Sequence, residues 1–229
     1  SLTEERSERE VANLVALLEL KPPMKILDLA CGFGRHTNRL AAKGFSVTGI
    51  DIMPGFLDLA KQDALERHVE VQYLRADMRQ IDFFEEFDRV IIMFSAFGYF
   101  DDMDNLRVLE NVARALKPGG MLGFDIPNRD ATLKTLPPAT VVEKNDDLMI
   151  NRNTFDMLTG RWHNRRVILR DGVRKDKPFS MRLYNLTEIE GMIHHAGLEI
   201  CHIYSDWKAQ PVSPDARGAV IIAKKGVPL

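Results

Sequence analysis

The residues best placed to do chemistry lie in one short stretch, Ile26-Leu27-Asp28-Leu29-Ala30-Cys31-Gly32-Phe33-Gly34-Arg35-His36-Thr37. A β-prone run leads into Gly-x-Gly, and a helix-prone run follows. Small residues let a ligand approach the main chain, and a helix start offers unpaired N–H groups. Asp51 follows Gly32 by nineteen residues, at the end of the next β-prone run. A carboxylate there can accept both hydroxyls of a ribose, so the glycine turn and the later acid together signal nucleoside binding. The plain alternative is a tight βα turn with an incidental acid.

Two nucleoside ligands compete for such a site, a dinucleotide and S-adenosylmethionine. Three details favour the second. Asp28 precedes the glycines, and its charge repels a pyrophosphate but suits the ammonium of a methionine moiety. Thr37 stands where the dinucleotide fingerprint wants a third small residue. Asp77-Met78 follows a third β-prone run, where an acid can accept from an adenine amino group.

With these residues in view, the chain resembles the class I S-adenosylmethionine-dependent methyltransferases over essentially its whole length. Residues 28–34 look like the family's first motif, with Ala30 where a glycine is usual. Asp51 matches the acid of the second motif, and Asp77-Met78 the adenine-side motif. Lys117-Pro118-Gly119-Gly120 matches the turn before the fifth strand. The resemblance implies an α/β fold, a Rossmann-like seven-stranded sheet with an antiparallel last strand. It implies S-adenosylmethionine as cofactor and S-adenosylhomocysteine as product. The cofactor-site residues it implies are Asp28, Ala30, Cys31, Gly32, Gly34, His36, Asp51, Ile52, Asp77, Met78 and Phe94.

In this fold the loop after the fourth strand, here Phe94-Ser95-Ala96-Phe97-Gly98-Tyr99-Phe100, lies beside the transferred methyl group. It contains no Asp/Asn-Pro-Pro-Tyr/Phe, the arrangement similar enzymes use on nucleobase amino groups and amide nitrogens. No Pro-Cys nucleophile for base C5 chemistry is present either. The loop is closer to a bacterial subgroup that acts on small molecules, including sugar amines and amino-acid-like acceptors. Arg182-x-Tyr184 and Tyr204-x-Asp206-Trp207 share in that likeness. The candidates for orienting an acceptor are Tyr99 first, then Arg182 and Tyr184. Asp125 and Asn128 suggest a metal site only weakly, because no third acid completes it. No His/Cys/Asp cluster has zinc spacing, so no metal is expected.

Eight basic side chains fall between Arg161 and Arg182, Arg165 and Arg166 among them, against only Asp171 and Asp176. An anionic acceptor held by arginine forks is one reading, and a nucleic-acid contact is another. The solvated face of an antiparallel sheet is the simplest account for most of them. Trp162, Tyr184 and Trp207 are either aromatic walls for an acceptor or packing.

Several elements must position these groups. Helical spacing marks residues 11–20, 35–43, 56–66, 105–116 and 187–196, the last with Thr187 and Glu190 at capping-box spacing. Strand-like runs fall at 25–30, 45–50, 69–74, 87–93 and 121–125, an alternation that argues for a parallel sheet with helices on both faces. Between residues 140 and 184 the pairs Thr159-Gly160 and Asp171-Gly172 signal hairpins, so three or four antiparallel strands are expected there. Residues 198–204 and 219–225 form a final pair, joined without a helix and therefore antiparallel. The expected organisation is a cofactor-binding core at 1–129, an antiparallel insertion or lid at 130–186 and the rest of the core sheet at 187–229.

The 229 residues carry 31 basic and 33 acidic side chains, a net charge of −2, with 45% hydrophobic residues. That is globular composition without a global pull toward nucleic acid or acidic membranes. Two cysteines suggest free thiols in a reducing cytoplasm. The charged N-terminal residues lack the apolar core of a secretion signal. The expected enzyme is a cytoplasmic monomer or homodimer that methylates nitrogen or oxygen of a small, anionic or amine-bearing acceptor. An NAD(P)-dependent oxidoreductase, an RNA methyltransferase using the basic lid and a non-catalytic cofactor-binding scaffold are the rivals.

Overall fold

The computed structural model describes residues 3–145 and 147–227; Ser1 and Leu2 of the charged N-terminal segment lie outside them. Helix α1 (Glu4–Leu17) starts earlier than apolar spacing alone suggests, because Thr3 caps it by accepting the Arg6 N–H, and Glu4 and Glu5 fill its first turn. Then come β1 (Lys25–Leu29), α2 (Thr37–Ala42), β2 (Ser46–Asp51), α3 (Pro54–Glu66), β3 (Gln72–Arg75) and β4 (Phe87–Ile92). Helix α4 (Asp102–Ala115), capped by Asp101, runs directly into β5 (Leu116–Pro127).

Strands β1 to β5 are parallel, in the order β5-β4-β1-β2-β3. Near the C-terminus, α6 (Leu186–His195), β11 (Leu198–Tyr204) and β12 (Gly218–Lys225) complete the seven-stranded sheet. Strand β12 is antiparallel to both β5 and β11, as the helix-free connection implies. Alternate residues point to opposite faces. Ile26, Ile91, Val220 and Ile222 pack under α1 and α2, whereas Leu27, Val90, Ile92 and Ile221 pack under α4 and α6.

A short helix, α5 (Arg129–Thr135), leads into a second, antiparallel sheet: β6 (Ala139–Lys144), β7 (Asp147–Asp156), β8 (Arg161–Arg170), β9 (Val173–Asp176) and β10 (Phe179–Arg182). Both hairpin signals hold: Gly160, Asp171 and Gly172 all take positive φ in the turns. The sheet has five strands rather than three or four, because the β6–β7 turn carries no Gly pair to announce it. The capping box of α6 sits two residues before the expected one. Asn185 accepts the Glu188 N–H and Glu188 accepts the Asn185 N–H, each at 2.8 Å.

Candidate active site

The chain passes from β1 to β2 and β3 on one side, then crosses to β4 and β5 on the other. That switch opens a crevice at the carboxyl ends of β1 and β4. The turn after β1 is built from left-handed backbone, with φ of 58° at Ala30, 57° at Gly32 and 75° at Gly34. The Cys31 N–H donates to the Ile50 carbonyl at 2.9 Å, which folds the turn back over β2. A Cβ on Gly34 would fall 2.3 Å from the Tyr73 hydroxyl, so packing and φ both require glycine there. A Cβ on Gly32 would meet nothing within 4 Å; the main chain there faces open space.

Asp51 joins the two strand ends. Its Oδ2 accepts the Gly32 N–H at 2.9 Å and its Oδ1 the Met53 N–H at 2.8 Å. Each oxygen keeps a lone pair for another donor. Asp28 is 2% exposed and accepts from the Thr37 hydroxyl at 2.6 Å. Burial, aided by the nearby Asp51 charge, outweighs that hydrogen bond and the Arg35 charge and pushes the Asp28 carboxyl up to about 7. The Cys31 thiol is likewise raised, by burial first and then by the charges of Asp28 and Asp51, so it is a poor nucleophile.

A cavity of about 480 Å³ opens beside this turn, lined in part by Ala30, Asp51, Ile52, Asp77, Met78 and Tyr99. Ile52, Met53 and Phe56 also flank it, each about half exposed, which gives it an apolar wall suited to a flat ring. The Asp77 carboxylate is already occupied. Arg79 grips it through Nε and Nη2 (2.6 Å) and reaches Asp104 with Nη1 at 2.7 Å. The Arg79 hydrogen bonds hold Asp77 below the usual carboxylate range, against burial.

Across the crevice, Phe94 and Ser95 both adopt left-handed φ, 62° and 54°. Asp125, near the end of β5, explains how. Its carboxylate accepts the Phe94 N–H and Ser95 N–H, each at 2.7 Å, the Ser95 hydroxyl at 3.0 Å and the Trp207 indole at 3.2 Å. Asp125 therefore shapes the loop, and Asn128 caps α5. The Phe94 ring stacks on His36 with centroids 5.5 Å apart, and the Arg35 guanidinium lies 4.1 Å from its centre. Glu10 of α1 accepts from Arg6, Arg35 and His36. Burial opposes its ionisation, but these three hydrogen bonds prevail and bring it down to about 2.

Of the acceptor-side candidates, Tyr99 alone lines this cavity. Arg182 and Tyr184 sit in a joint between sheet and helices. Arg182 binds Asp102 at 3.2 Å, Glu188 at 2.6 Å and the Leu183 carbonyl at 2.8 Å. Tyr184, 3% exposed, donates to Asp102 at 2.7 Å and accepts from Asn105 at 2.9 Å. His36 belongs to the stack on Phe94 and is buried. Among the described residues no group of three His, Cys, Asp or Glu side chains could hold a metal ion, and no helix is long and apolar enough to cross a membrane.

Residues 26–120 match the family model described as a methyltransferase domain. A solved S-adenosylmethionine-dependent methyltransferase from Clostridium acetobutylicum ATCC 824 superposes with a TM-score of 0.87 at 19% identity, covering 99% of this chain and 93% of its own. A Bacillus subtilis (strain 168) protein, YqeM, which carries a provisional methyltransferase name, is 31% identical over 195 residues, 80% of this chain and 76% of its own. The chain belongs to the class I S-adenosylmethionine-dependent methyltransferases. A further relative is the dTDP-4-amino-2,3,4,6-tetradeoxy-D-glucose N,N-dimethyltransferase of Saccharopolyspora spinosa. It is 33% identical over 115 residues, 49% of this chain and 45% of its own.

The methyltransferase uses S-adenosylmethionine, and its residues fit that group. The open space above Gly32, the double acceptor at Asp51 and the apolar wall of the cavity form a cradle for a nucleoside with a charged tail. Three features of this methyltransferase escape sequence reading. Asp125 stands out in the sequence only as a weak metal candidate; what matters is its place near the end of β5, beside the strand β4 that leads into the left-handed Phe94–Ser95 pair. Glu10 carries no signal in residue type or spacing, since its partners Arg35 and His36 come from beyond its own helix. Arg79, two residues from Asp77, carried the one usable signal, a base spaced to compete for that acid.

Proposed function

We propose that this methyltransferase transfers a methyl group to a nitrogen or oxygen atom of a small-molecule acceptor by in-line displacement. The observation that carries the reading is a single cavity walled both by Ala30, Asp51 and Asp77 and by Tyr99 of the opposite loop. S-adenosylmethionine, when bound, supplies a methyl group already activated on a sulfonium. The chain's task is then alignment and exclusion of water.

In this proposal the turn at Ala30, Cys31, Gly32 and Gly34 offers main chain, Asp28 pairs with an ammonium and Asp51 holds ribose hydroxyls. Ile52 and Met78 cover the base, and Asp77 takes its amino group once Arg79 yields one of its contacts. Phe94 and His36 close the far end. Tyr99 orients the acceptor. Burial raises its phenol, more than the Arg166 charge lowers it, so it stays protonated and both donates and accepts. Arg182 and Tyr184 act as positioning residues that hold the 94–100 loop against α4. An acceptor amine that binds neutral needs no general base, and the aminosugar relative favours such an amine. Residues 1–129 and 187–229 form the core in this scheme, and 130–186 cover the acceptor. The two free thiols support a reducing cytoplasm. Basic side chains of the insertion are partly neutralised, Arg170 by Asp147 and Arg174 by Asp176, which weakens the case for RNA.

Calorimetric titration with S-adenosylhomocysteine, and with NADH and NADPH in parallel, tests the cofactor site. Micromolar binding of the first alone is expected. An acceptor screen of small amines and acids follows, read by release of S-adenosylhomocysteine. Turnover confined to RNA, with steeply salt-dependent binding, would overturn the small-molecule reading.

A further inference from the structure

One face of the five-stranded sheet carries polar side chains that the proposed reaction does not use. On β7 and β8 the pairs Asn151–Arg166, Asn153–Asn164 and Phe155–Trp162 are directly opposed, so these residues share a face. Phe179 and Met181 of β10 pair with Asn164 and Trp162 and extend it. That face adjoins the methyl-side loop: the Met181 side chain lies 3.3 Å from where a Cβ on Gly98 would stand, one residue before Tyr99.

The hydrogen bonds on this face run in one direction. The Trp162 indole N–H is a donor only, and it donates to Asn153 Oδ1 at 2.9 Å. Asn164 therefore approaches the same oxygen with its amide nitrogen, at 2.8 Å. Its own carbonyl, Oδ1, is left buried without a partner, in a residue that is 3% exposed. Two positions along β8, Arg166 donates Nε to Asn151 Oδ1 at 2.9 Å and rests on the Phe179 ring at 5.1 Å. Asn151 in turn donates to the Thr140 hydroxyl at 3.1 Å. No carboxylate among the described residues pairs with Arg166, which is half-buried. Arg161 and Arg182 are spent on carbonyls and acids. The Arg166 charge reaches the Tyr99 phenol, opposing the burial that raises it.

We propose that the acceptor carries a carboxylate bound by the free amino groups of Arg166, and beside it a hydrogen-bond donor taken by Asn164 Oδ1. This assignment rests on the small-molecule methyltransferase reading above. A planar guanidinium fork matches a carboxylate in both geometry and single charge. A dianionic phosphate would want a second free cation on this face, and the neighbouring arginines are engaged elsewhere. A buried carbonyl without a donor is costly, so a ligand N–H or O–H that fills it gains accordingly.

The test is calorimetry on protein saturated with S-adenosylhomocysteine. Matched amines are titrated on linear, cyclic and aromatic scaffolds, each as carboxylate, phosphonate and neutral alcohol; 3-aminopropanoate, 2-aminoethylphosphonate and 3-aminopropan-1-ol are the smallest set. On at least one scaffold the carboxylate should bind ten times or more tighter than the alcohol and the phosphonate. Arg166→Gln, which can still donate to Asn151, should abolish that preference. Asn164→Asp, of the same shape, should weaken the carboxylate at least tenfold by like charge. Both variants should keep their affinity for S-adenosylhomocysteine. Preference for the alcohol or phosphonate, an unchanged preference in Arg166→Gln, or no binding by any member would each overturn the proposal. Loss of S-adenosylhomocysteine binding by the parent protein would instead sink the cofactor assignment on which it stands.

Discussion

Around Asp51 the groups that meet the cavity are set by main chain: three left-handed residues, a folded-back turn and two N–H donors on one carboxylate. On the five-stranded sheet the groups offered to a ligand are side chains, ordered by strand register and by which partner each neighbour has left free. A backbone-built site depends on a few residue types at a turn, whereas a face built from side chains depends on the strand register that pairs residues 7 to 19 positions apart. The first tolerates little change at its glycines and acids. The second can exchange Asn, Arg or Thr and take a different ligand on the same strands.

The sharpest test of this contrast is Asp28, whose burial serves the ligand at the expense of the fold. Its carboxyl stands at about 7 against an ordinary 3.8. Between those values the unfolded chain is ionised and the folded one holds a proton. The stabilisation is therefore full below pH ~4 and is lost as pH rises through ~7, a swing of a few kcal/mol. Asp28→Asn removes the swing. It should melt higher than the parent at pH 8 while binding S-adenosylhomocysteine at least tenfold more weakly. Parallel melting curves for the two proteins from pH 4 to 8 would show that burial has been misjudged.

Asp51→Ala comes next. It deletes the acceptor for ribose hydroxyls and for the Gly32 and Met53 N–H groups. A charged hydrogen bond contributes ~1.5–3 kcal/mol, so cofactor affinity should fall by about one to two decades. Calorimetry reads this directly, and an affinity within twofold of the parent would remove Asp51 from the site.

The same contrast explains what could be read in advance. Asp28, Gly32, Gly34 and Asp51 lie within 24 positions of one another, and their order along β1 and β2 places them together without knowledge of the rest. The alternation of strands and helices likewise dictates the parallel sheet, and the helix-free link dictates the antiparallel β12. The acceptor side was less legible. Arg182 and Tyr184 stand where the chain returns to the core, but Asp102, Asn105 and Glu188 claim them. These partners come from α4 and α6, and nothing in residue type reveals that packing. Arg166, one base in a run of eight, becomes distinct only when register shows which neighbours have acids and which do not. Asp125 is the intermediate case. Its position at a strand end was visible, but its service to Phe94 and Ser95 depends on β4 and β5 lying side by side.

Arg182 and Arg166 turn this into a paired experiment. Arg182→Met breaks contacts to Asp102, Glu188 and the Leu183 carbonyl. Because Asp102 is largely exposed, the loss is moderate, ~1–2 kcal/mol, or a few degrees in Tm. The variant should lose kcat/KM through the displaced 94–100 loop, with S-adenosylhomocysteine affinity kept within twofold. Arg166→Gln should leave Tm within about a degree, since it retains a donor for Asn151. If the Tm effects are reversed, the assignment of joint and ligand face must be exchanged.

The smallest effect belongs to Ala30, where the family's usual glycine is missing and the residue still holds φ at 58°. A left-handed alanine costs about 1 kcal/mol, and glycine would relieve that. Glycine also gains freedom in the unfolded chain, which takes back ~0.5–1 kcal/mol. Ala30→Gly should therefore shift Tm by no more than about two degrees in either direction. The Ala30 methyl lines the cavity, so its removal should leave cofactor affinity within threefold. A tenfold change would mean that the methyl group itself shapes the ligand site. The turn would then belong with the side-chain-built face, and the division between the two regions would lose its clearest example.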